Sequence, residues 1–151
     1  MKPETDELER RIQRFECELR QAGVKLTHQR LEICREIAGA GDHPDAESIF
    51  KGVRARVPTI SLDTVYRTLW TLLDLGLINT LGIPQERMRF DGNTALHHHF
   101  VCTRCGEARD FYSEDFDKLQ VPTCVQTYGV VNKIQVEVRG LCLRCAPTTD
   151  P

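Results

Sequence analysis

The stretch that determines the fold of the C-terminal third is residues 97–105, His-His-His-Phe-Val-Cys-Thr-Arg-Cys. Its last four residues form a Cys-x-x-Cys pair, Cys102 and Cys105, and a second pair follows at Cys142 and Cys145. Four thiolates with this spacing are typical of a tetrahedral structural zinc site. The binding free energy of such a site, about 10 kcal/mol or more, is also folding free energy. The C-terminal third is therefore predicted to fold around Zn²⁺.

Length and composition fit one or two small domains that each have a core. The chain has 151 residues, of which 40% are hydrophobic, and a formal net charge of −2. Residues 1–11 are charged and lack the apolar run of a signal peptide, and no segment has the length needed to span a membrane. We therefore expect a cytoplasmic protein with no membrane partner. In that reducing compartment the Cys-x-x-Cys pairs are expected to bind metal, and Cys17, Cys34 and Cys124 to be core residues or unreactive thiols.

The first half of the chain has the periodicity of helices. Apolar residues recur at intervals of three and four in four segments, and glycine or proline follows each segment. The predicted helices end near Gly23, near Gly39, before Pro58 and at Gly76. The fourth helix, which Ser61 is predicted to cap, has one apolar stripe and one polar face.

Two short strands are predicted after the fourth helix, at residues 77–81 and 87–90, with a turn through residues 82–85. Helices followed by such a hairpin suggest a winged helix, in which the helix before the hairpin lies in the major groove of DNA. Tyr66 and Arg67 are on the exposed face of that helix. The surrounding segment is locally basic but the whole chain is slightly acidic, so charge alone supports DNA binding weakly. A solvated helix face remains the alternative for Arg67.

The second half reads as a small α+β domain. Residues 96–102 are predicted to form a strand that leads into a zinc knuckle, and residues 109–112 the strand that returns from it. Alternating apolar residues predict a third strand at residues 134–138. Alternation along the first strand places His97 and His99 on one face and His98 on the other, where we expect it to be exposed. Asp91 and Asp110 are candidate carboxylate partners, and imidazole with carboxylate suits Fe²⁺, Mn²⁺ or Zn²⁺. A fortuitous histidine cluster on the surface is the alternative.

Six segments together resemble the ferric uptake regulator family. They occur in the family's order between about residues 8 and 145, and they are residues 24–30, 43–44, 61–69, 89–91, 97–106 and 142–145. Their conjunction is more specific than any one of them. The resemblance implies an α+β protein with an N-terminal winged-helix DNA-binding domain, residues 1–90, and a C-terminal α/β dimerisation domain with a four-cysteine zinc site, residues 91–151. It further implies a metal-dependent transcriptional repressor, not an enzyme, that binds palindromic operator DNA as a homodimer.

The resemblance also implies roles for individual residues. The structural zinc would be bound by Cys102, Cys105, Cys142 and Cys145. A regulatory Fe²⁺ or Mn²⁺ would be bound by five residues, His43, Asp91, His97, His99 and Asp110. Contacts to DNA would come from Arg30, Thr64, Tyr66 and Arg67. Because His43 lies in the DNA-binding domain and the other ligands lie at the domain boundary or beyond it, the regulatory metal is expected to clamp the two domains.

The carboxylate at position 110 separates branches of the family. Peroxide-responsive regulators carry aspartate there, as this chain does, whereas iron-responsive regulators usually carry glutamate. The resemblance therefore implies a peroxide sensor. Bound Fe²⁺ would reduce hydrogen peroxide, His43 or His97 would be oxidised, and the metal and the DNA would then be released. An iron-responsive or zinc-responsive regulator of metal uptake is the alternative.

Three departures from the family pattern limit the resemblance. His28 replaces a proline and is expected to change little beyond the entry angle of the chain. Lys133 and Ile134 stand where many members have a histidine for an additional metal site, so that site is expected to be absent or weakened. Asp63 places a negative charge near DNA phosphates and is expected to restrict affinity or alter operator preference.

Two other classes of protein compete with this interpretation. A metalloenzyme would use His97, His99 and a carboxylate to hold zinc with an open position for water, but the sequence has no His-Glu-x-x-His motif and no clear general base. A thiol redox switch would use the cysteine pairs, but it would more naturally place one Cys-x-x-Cys at a helix start. Hydrolysis of a substrate, or zinc loss with disulfide formation at low peroxide, would favour these classes.

Overall fold

The structure is a computed structural model that describes residues 2–81 and 88–147. It comprises two compact units, Met1–Thr94 and Ala95–Pro151. Helices and strands occur in both units, so the predicted α+β class is confirmed. The assignment of one unit to DNA binding and the other to dimerisation stays a prediction.

Four helices build most of the first unit within its described residues, 2–81 and 88–94. They are α1 Thr5–Gln21, α2 His28–Gly39, α3 Ala46–Arg54 and α4 Leu62–Asp74. The last three begin at side-chain caps, because Thr27, Asp45 and Ser61 each accept a hydrogen bond from the backbone N–H three residues later. Gly23 and Gly76, which follow α1 and α4, have φ values of +73° and +68°. Glycine adopts this left-handed conformation readily, so both glycines end their helices as predicted.

The hydrophobic core of the first unit lies between these helices. Fully buried side chains come from all four of them and include Phe15, Leu19, Ile33, Ile37, Ile49, Leu69 and Leu72. Burial of the apolar stripe of α4 leaves its other face at the surface, where Tyr66 and Trp70 are both exposed. The core thus fixes which face of α4 is available to a partner.

A short antiparallel hairpin follows α4. Its strands are β1 Asn79–Leu81 and β2 Arg89–Asp91, and Asn79 pairs with Asp91. The first predicted strand is confirmed in shorter form, and the second is confirmed from Arg89 but ends one residue later than predicted, at Asp91. Residue 87 and the turn predicted through residues 82–85 lie outside the described residues. The order of helices followed by a hairpin agrees with the predicted winged helix.

The described part of the second unit contains a three-stranded sheet and two short helices. Its elements are β3 His98–Cys102, β4 Ala108–Phe111, α5 Glu114–Asp117, α6 Thr123–Gln126 and β5 Glu137–Gly140. The central strand β3 is antiparallel to β4 and parallel to β5. The strand predicted at residues 134–138 is shifted, because pairing with β3 begins at the pair of His99 and Glu137. None of the described helices has the length and the apolar character needed to cross a membrane.

Candidate metal centres

The sheet of the second unit brings the four cysteines together. Cys102 ends β3 and lies opposite Gly140 of β5, so the two Cys-x-x-Cys pairs leave neighbouring strands at the same end. The four Sγ atoms lie within 4.8 Å of one another, and those of Cys105 and Cys142 are 3.8 Å apart. All of them are free thiols. Four sulfur atoms at these distances fit the tetrahedral coordination that Zn²⁺ prefers.

Backbone groups already stabilise negative charge in this quartet. Hydrogen bonds from the N–H groups of Cys105 and Cys142 to the sulfur of Cys102 lower the pKa of that thiol to about 6. The sulfur of Cys142 has the opposite effect on Cys145, where hydrogen bonding between the two side chains raises the pKa to about 12. Four thiolates this close repel one another unless a cation lies among them. The quartet therefore has the chemistry of a metal site and not that of four independent thiols.

Two histidines of the second unit converge on one side of β3. The Nε2 atoms of His97 and His99 are 3.0 Å apart. Asp110 of β4 pairs with His99 of β3 in the sheet. Its Oδ1 atom is 3.6 Å from Nε2 of His97 and 3.3 Å from Nε2 of His99. The other ring nitrogens are bound elsewhere, since Nδ1 of His97 lies 2.6 Å from the carbonyl oxygen of Ala95 and Nδ1 of His99 lies 3.2 Å from the amide of Gln135. Both Nε2 atoms therefore face one carboxylate.

His98 is buried, and its predicted exposure is wrong. Its ring lies on the other side of β3, fully buried, with the rings of Phe111 and Phe116 at centroid distances of 5.6 and 5.4 Å. Nδ1 accepts a hydrogen bond from the N–H of Val136, and Nε2 donates to Oδ1 of Asp117 at 3.0 Å. Alternation along the strand identified the correct side of β3. The alternation did not show that α5 covers that side.

The first unit holds a second pair of candidate ligands. Nε2 of His43, in the loop between α2 and α3, is 3.8 Å from Oδ2 of Asp91 at the end of β2, and both side chains are buried. The N–H of Asn93 donates to Oδ1 of Asp91 at 2.8 Å, which fixes the orientation of the carboxylate. This role of Asn93 was not predicted from the sequence, although an Asp-x-Asn segment is a signal for such a turn. Each unit thus supplies imidazole and carboxylate groups from the predicted five-ligand set.

The residues predicted to contact DNA lie on helices of the first unit. Arg30 is on α2, and Thr64, Tyr66 and Arg67 are on α4. Nε of Arg67 is 2.9 Å from Oδ2 of Asp63 one turn earlier, and both side chains are largely exposed. Asp63, which departs from the family pattern, therefore forms an ion pair with Arg67, one of the predicted DNA contacts.

Comparison with known proteins identifies the family of this chain. Residues 21–139 match the model of the Ferric uptake regulator family. The chain belongs to this family. The peroxide-responsive repressor PerR of Staphylococcus epidermidis is 31% identical over 146 residues, which cover 96% of this chain and 97% of the relative. PerR of Staphylococcus aureus strain USA300 is 31% identical over 145 residues, which cover 96% of this chain and 98% of the relative.

Solved structures agree with the family assignment. The peroxide stress regulator of Campylobacter jejuni has a TM-score of 0.67 and 25% identity, covering 89% of this chain and 98% of that chain. The ferric uptake regulator Fur of Helicobacter pylori has a TM-score of 0.75 over 99% of both chains, and at 23% identity it shows the shared fold alone. Members of the family are metal-responsive transcriptional regulators, so the prediction that this chain is not an enzyme is confirmed.

Proposed function

We propose that this family member is a metal-dependent repressor that senses hydrogen peroxide and releases operator DNA when it is oxidised. The observation that carries the proposal is the convergence of His97 and His99 beside Asp110, with their Nε2 atoms 3.0 Å apart. Two imidazole nitrogens at this distance beside a carboxylate are electrostatically suited to share one cation. Asp110 supports peroxide sensing, because the family resemblance assigns aspartate at this position to peroxide-responsive regulators, and relatives that are 31% identical carry that name.

The regulatory ion in this proposal has five ligands. His43 and Asp91 come from the first unit, and His97, His99 and Asp110 come from the second. Three nitrogen and two oxygen ligands suit Fe²⁺ or Mn²⁺, whereas Zn²⁺ more often has four ligands. Zn²⁺ is instead assigned to the cysteine quartet, where all ligands are sulfur.

In the proposal, binding of this ion is coupled to binding of DNA. An ion that binds only when ligands of both units are brought together favours that arrangement by RT ln(1 + [M]/Kd), about 2.7 kcal/mol at about a hundredfold excess over Kd. In a homodimer this arrangement would place the two α4 helices at the spacing of operator half-sites. Loss of the ion removes this free energy, so DNA is released.

Exposed apolar side chains of the second unit support the homodimer. Tyr128, Val130 and Leu143 have most of their surface exposed, and Val138 of β5 is also exposed. Large apolar side chains this exposed favour a surface that another protein covers. A second copy of the chain, paired through this unit, is therefore the proposed partner that covers it.

The proposed DNA-binding surface is the exposed face of α4. In the proposal, Tyr66 and Arg67 contact bases and phosphates of double-stranded palindromic operator DNA, and Thr64 and Arg30 make further contacts. The ion pair between Arg67 and Asp63 has to open, or to shift, before the guanidinium can bind a phosphate. This competition is the physical reason to expect that Asp63 restricts DNA affinity.

The peroxide reaction of the proposal is balanced within the site. A bound Fe²⁺ would lend one electron to break the O–O bond of hydrogen peroxide and would regain it from the imidazole, a reaction that Mn²⁺ does not readily support. Overall, one oxygen atom of peroxide is added at a C–H position of the imidazole of His43 or His97, and the other oxygen leaves as water. The imidazole loses the two electrons that peroxide accepts. The oxidised ring binds metal less well because its lone pair is less basic.

The experiment that tests this function compares the Fe²⁺-loaded and Mn²⁺-loaded dimer. Operator DNA is first selected from a random library with the Mn²⁺ form, and binding is then measured before and after low peroxide, with mass spectrometry of the histidine peptides and measurement of bound zinc. We expect only the iron form to release DNA, with one added oxygen on His43 or His97. His98, buried on the other side of β3, is the internal control and is expected to stay unmodified.

Other outcomes point to other functions. Unmodified histidines with continued DNA binding would indicate an iron-responsive or zinc-responsive regulator of metal uptake. Loss of zinc together with disulfide formation among the four cysteines would instead indicate a thiol redox switch. Equal oxidation of His98 would indicate general damage and would contradict site-specific sensing.

A further inference from the structure

His43 has an uncommon backbone conformation. Its φ is +51°, and within the described residues 2–81 and 88–147 it is the only non-glycine residue with a positive φ. It also precedes Pro44, and a following proline disfavours helical conformations of the residue before it. A left-handed histidine persists only where its surroundings hold it. The residues around His43 therefore stabilise this conformation.

The side chain of Arg89 holds the chain at His43. Arg89 lies in β2 and is half buried, and its Nη1 is 3.5 Å from the carbonyl oxygen of Asp42 and 3.4 Å from that of His43. Each contact is long for a hydrogen bond. Together they direct one charged donor at two successive carbonyl oxygens, and hydrogen bonds from charged donors are stronger than those between neutral groups.

The backbone of β2 holds the chain after His43. The N–H of Phe90 donates to the carbonyl oxygen of Pro44 at 3.0 Å, and an antiparallel bridge pairs Asp45 with Arg89. The turn is thus held on one side by these backbone contacts and on the other by the guanidinium of Arg89. Of these contacts, only those of the Arg89 guanidinium can be removed by a side-chain substitution.

The same strand carries the carboxylate that faces His43. Asp91 is the last residue of β2, and its Oδ2 is 3.8 Å from Nε2 of His43. The N–H of Asn93 fixes the other oxygen of Asp91. Gly92 lies so close to α2 that an added Cβ would be 2.9 Å from the carbonyl oxygen of Ile37. Strand β2 therefore sets the position of both candidate ligands of the first unit.

We propose that Arg89 is a positioning residue for the regulatory metal. It supplies no ligand atom, and it keeps His43 in the left-handed turn that directs the imidazole towards Asp91. The inference rests on the proposed function, because His43 and Asp91 are metal ligands only under that proposal. The hold of Arg89 on the turn itself is independent of any metal.

The first test is a titration of Mn²⁺ into the full-length, zinc-loaded protein. Arg89→Ala is expected to weaken Mn²⁺ binding by about tenfold to a hundredfold, as is typical when a residue that orients a ligand is lost. Arg89→Lys, which keeps a charged donor, is expected to restore part of the affinity. Arg20→Ala, which removes an equal charge from the exposed end of α1, is expected to have no effect. Zinc content and the thermal unfolding temperature serve as checks that each variant is folded.

A double-mutant cycle separates positioning from a general effect on stability. Because Arg89 acts through His43, Arg89→Ala is expected to change Mn²⁺ binding little when His43 is already alanine. Equal weakening in the wild-type and His43→Ala backgrounds would overturn the proposal. So would unchanged affinity in Arg89→Ala alone.

A second measurement needs no metal at the regulatory site. In the zinc-loaded protein, the Cα and Cβ chemical shifts of His43 report its backbone conformation, and Arg89→Ala is expected to move them away from left-handed values while Arg20→Ala leaves them unchanged. Unmoved shifts would overturn the proposal whatever the titration shows. Moved shifts, combined with normal Mn²⁺ binding by His43→Ala, would support the hold of Arg89 on the turn and would contradict the proposed metal site.

Discussion

The Nε2 atoms of His97 and His99 lie 3.0 Å apart on one side of β3. On the other side, both ring nitrogens of His98 are occupied, one by the N–H of Val136 and the other by Asp117. Strand β3 and the residue before it thus present two convergent imidazoles suited to a cation on one side and a hydrogen-bonded histidine on the other.

Replacing the carboxylate beside the convergent histidines is expected to weaken metal binding. Asp110→Asn keeps the shape of the side chain and removes its negative charge, so we expect the affinity for Mn²⁺ to fall by about tenfold or more. Asp117→Asn is the matched control, because it makes the same change on the other side of β3. Isothermal titration of both variants is the measurement, and equal effects would contradict the assignment of Asp110 as a ligand.

Removing one cysteine of the quartet is expected to unfold the second unit. Cys142→Ser eliminates a thiolate from the site, so zinc and the folding free energy that it supplies are lost. Cys124→Ser is the control, because Cys124 is exposed and lies outside the quartet. Zinc content and resistance to limited proteolysis are the readouts. A folded Cys142→Ser variant without zinc would show that the metal is dispensable for the fold.

Substitution by alanine is expected to affect stability differently at Gly52 and Gly92. At Gly92 the new Cβ would be 2.9 Å from both Cγ2 and the carbonyl oxygen of Ile37, so the backbone has to move and we expect a destabilisation of about 1–3 kcal/mol.

At Gly52 the three atoms nearest the new Cβ all belong to the carboxylate of Glu36, which can rotate away. The partial loss of its exposed ion pair with Arg56, about 0–1 kcal/mol, is offset by about 1 kcal/mol of helix propensity. Urea unfolding of both alanine variants, Gly52→Ala and Gly92→Ala, checks the contrast. Similar losses at the two positions would show that the approach of Gly92 to α2 is not the determining contact.

The buried carboxylate of Glu32 is expected to make stability depend on pH in the acid range. Its Oε2 accepts a hydrogen bond from Nε of Arg56 at 2.6 Å, and this contact, helped by Arg35, lowers the pKa of Glu32 from its usual value of 4.5 despite burial. Because the pKa is lower in the folded state, the stabilisation is complete above pH 4.5 or so and is lost as the pH falls through the folded value.

The variant Glu32→Gln tests that dependence. It is expected to be less stable than the wild type at neutral pH and to approach the wild type as the pH falls below about 4.5. Glu9→Gln, on the exposed surface of α1, is the control. The free energy of unfolding is measured by urea at several pH values. A constant difference between Glu32→Gln and wild type across the acid range would contradict the role given to Glu32.

Much of the first unit could be predicted because its signals are local. Thr27, Asp45 and Ser61 begin helices by binding backbone groups three residues away, and Gly23 and Gly76 end them by their own conformation. None of these interactions needs a distant part of the chain. The four predicted helices and the hairpin were therefore accessible from sequence.

The environment of His98 could not be predicted for the opposite reason. A strand's alternation states which side a residue faces, but it does not state what covers that side. Here α5 covers it with Phe116 and Asp117, residues that the sequence analysis did not connect with the histidines. A histidine expected at the surface is consequently a buried, hydrogen-bonded part of the second unit.

By itself, the sequence determined the kinds of chemistry available: four thiolates in two pairs, alternating histidines, and helices with defined ends. These follow from residue type and short spacing, which act over a few residues of chain. Only the tertiary structure decided that the sulfurs lie within 4.8 Å of one another, that Asp110 faces His97 and His99, and that β2 holds His43 in a left-handed turn beside Asp91. Such distances depend on strand pairing and packing between residues far apart in the chain, and no local pattern encodes them.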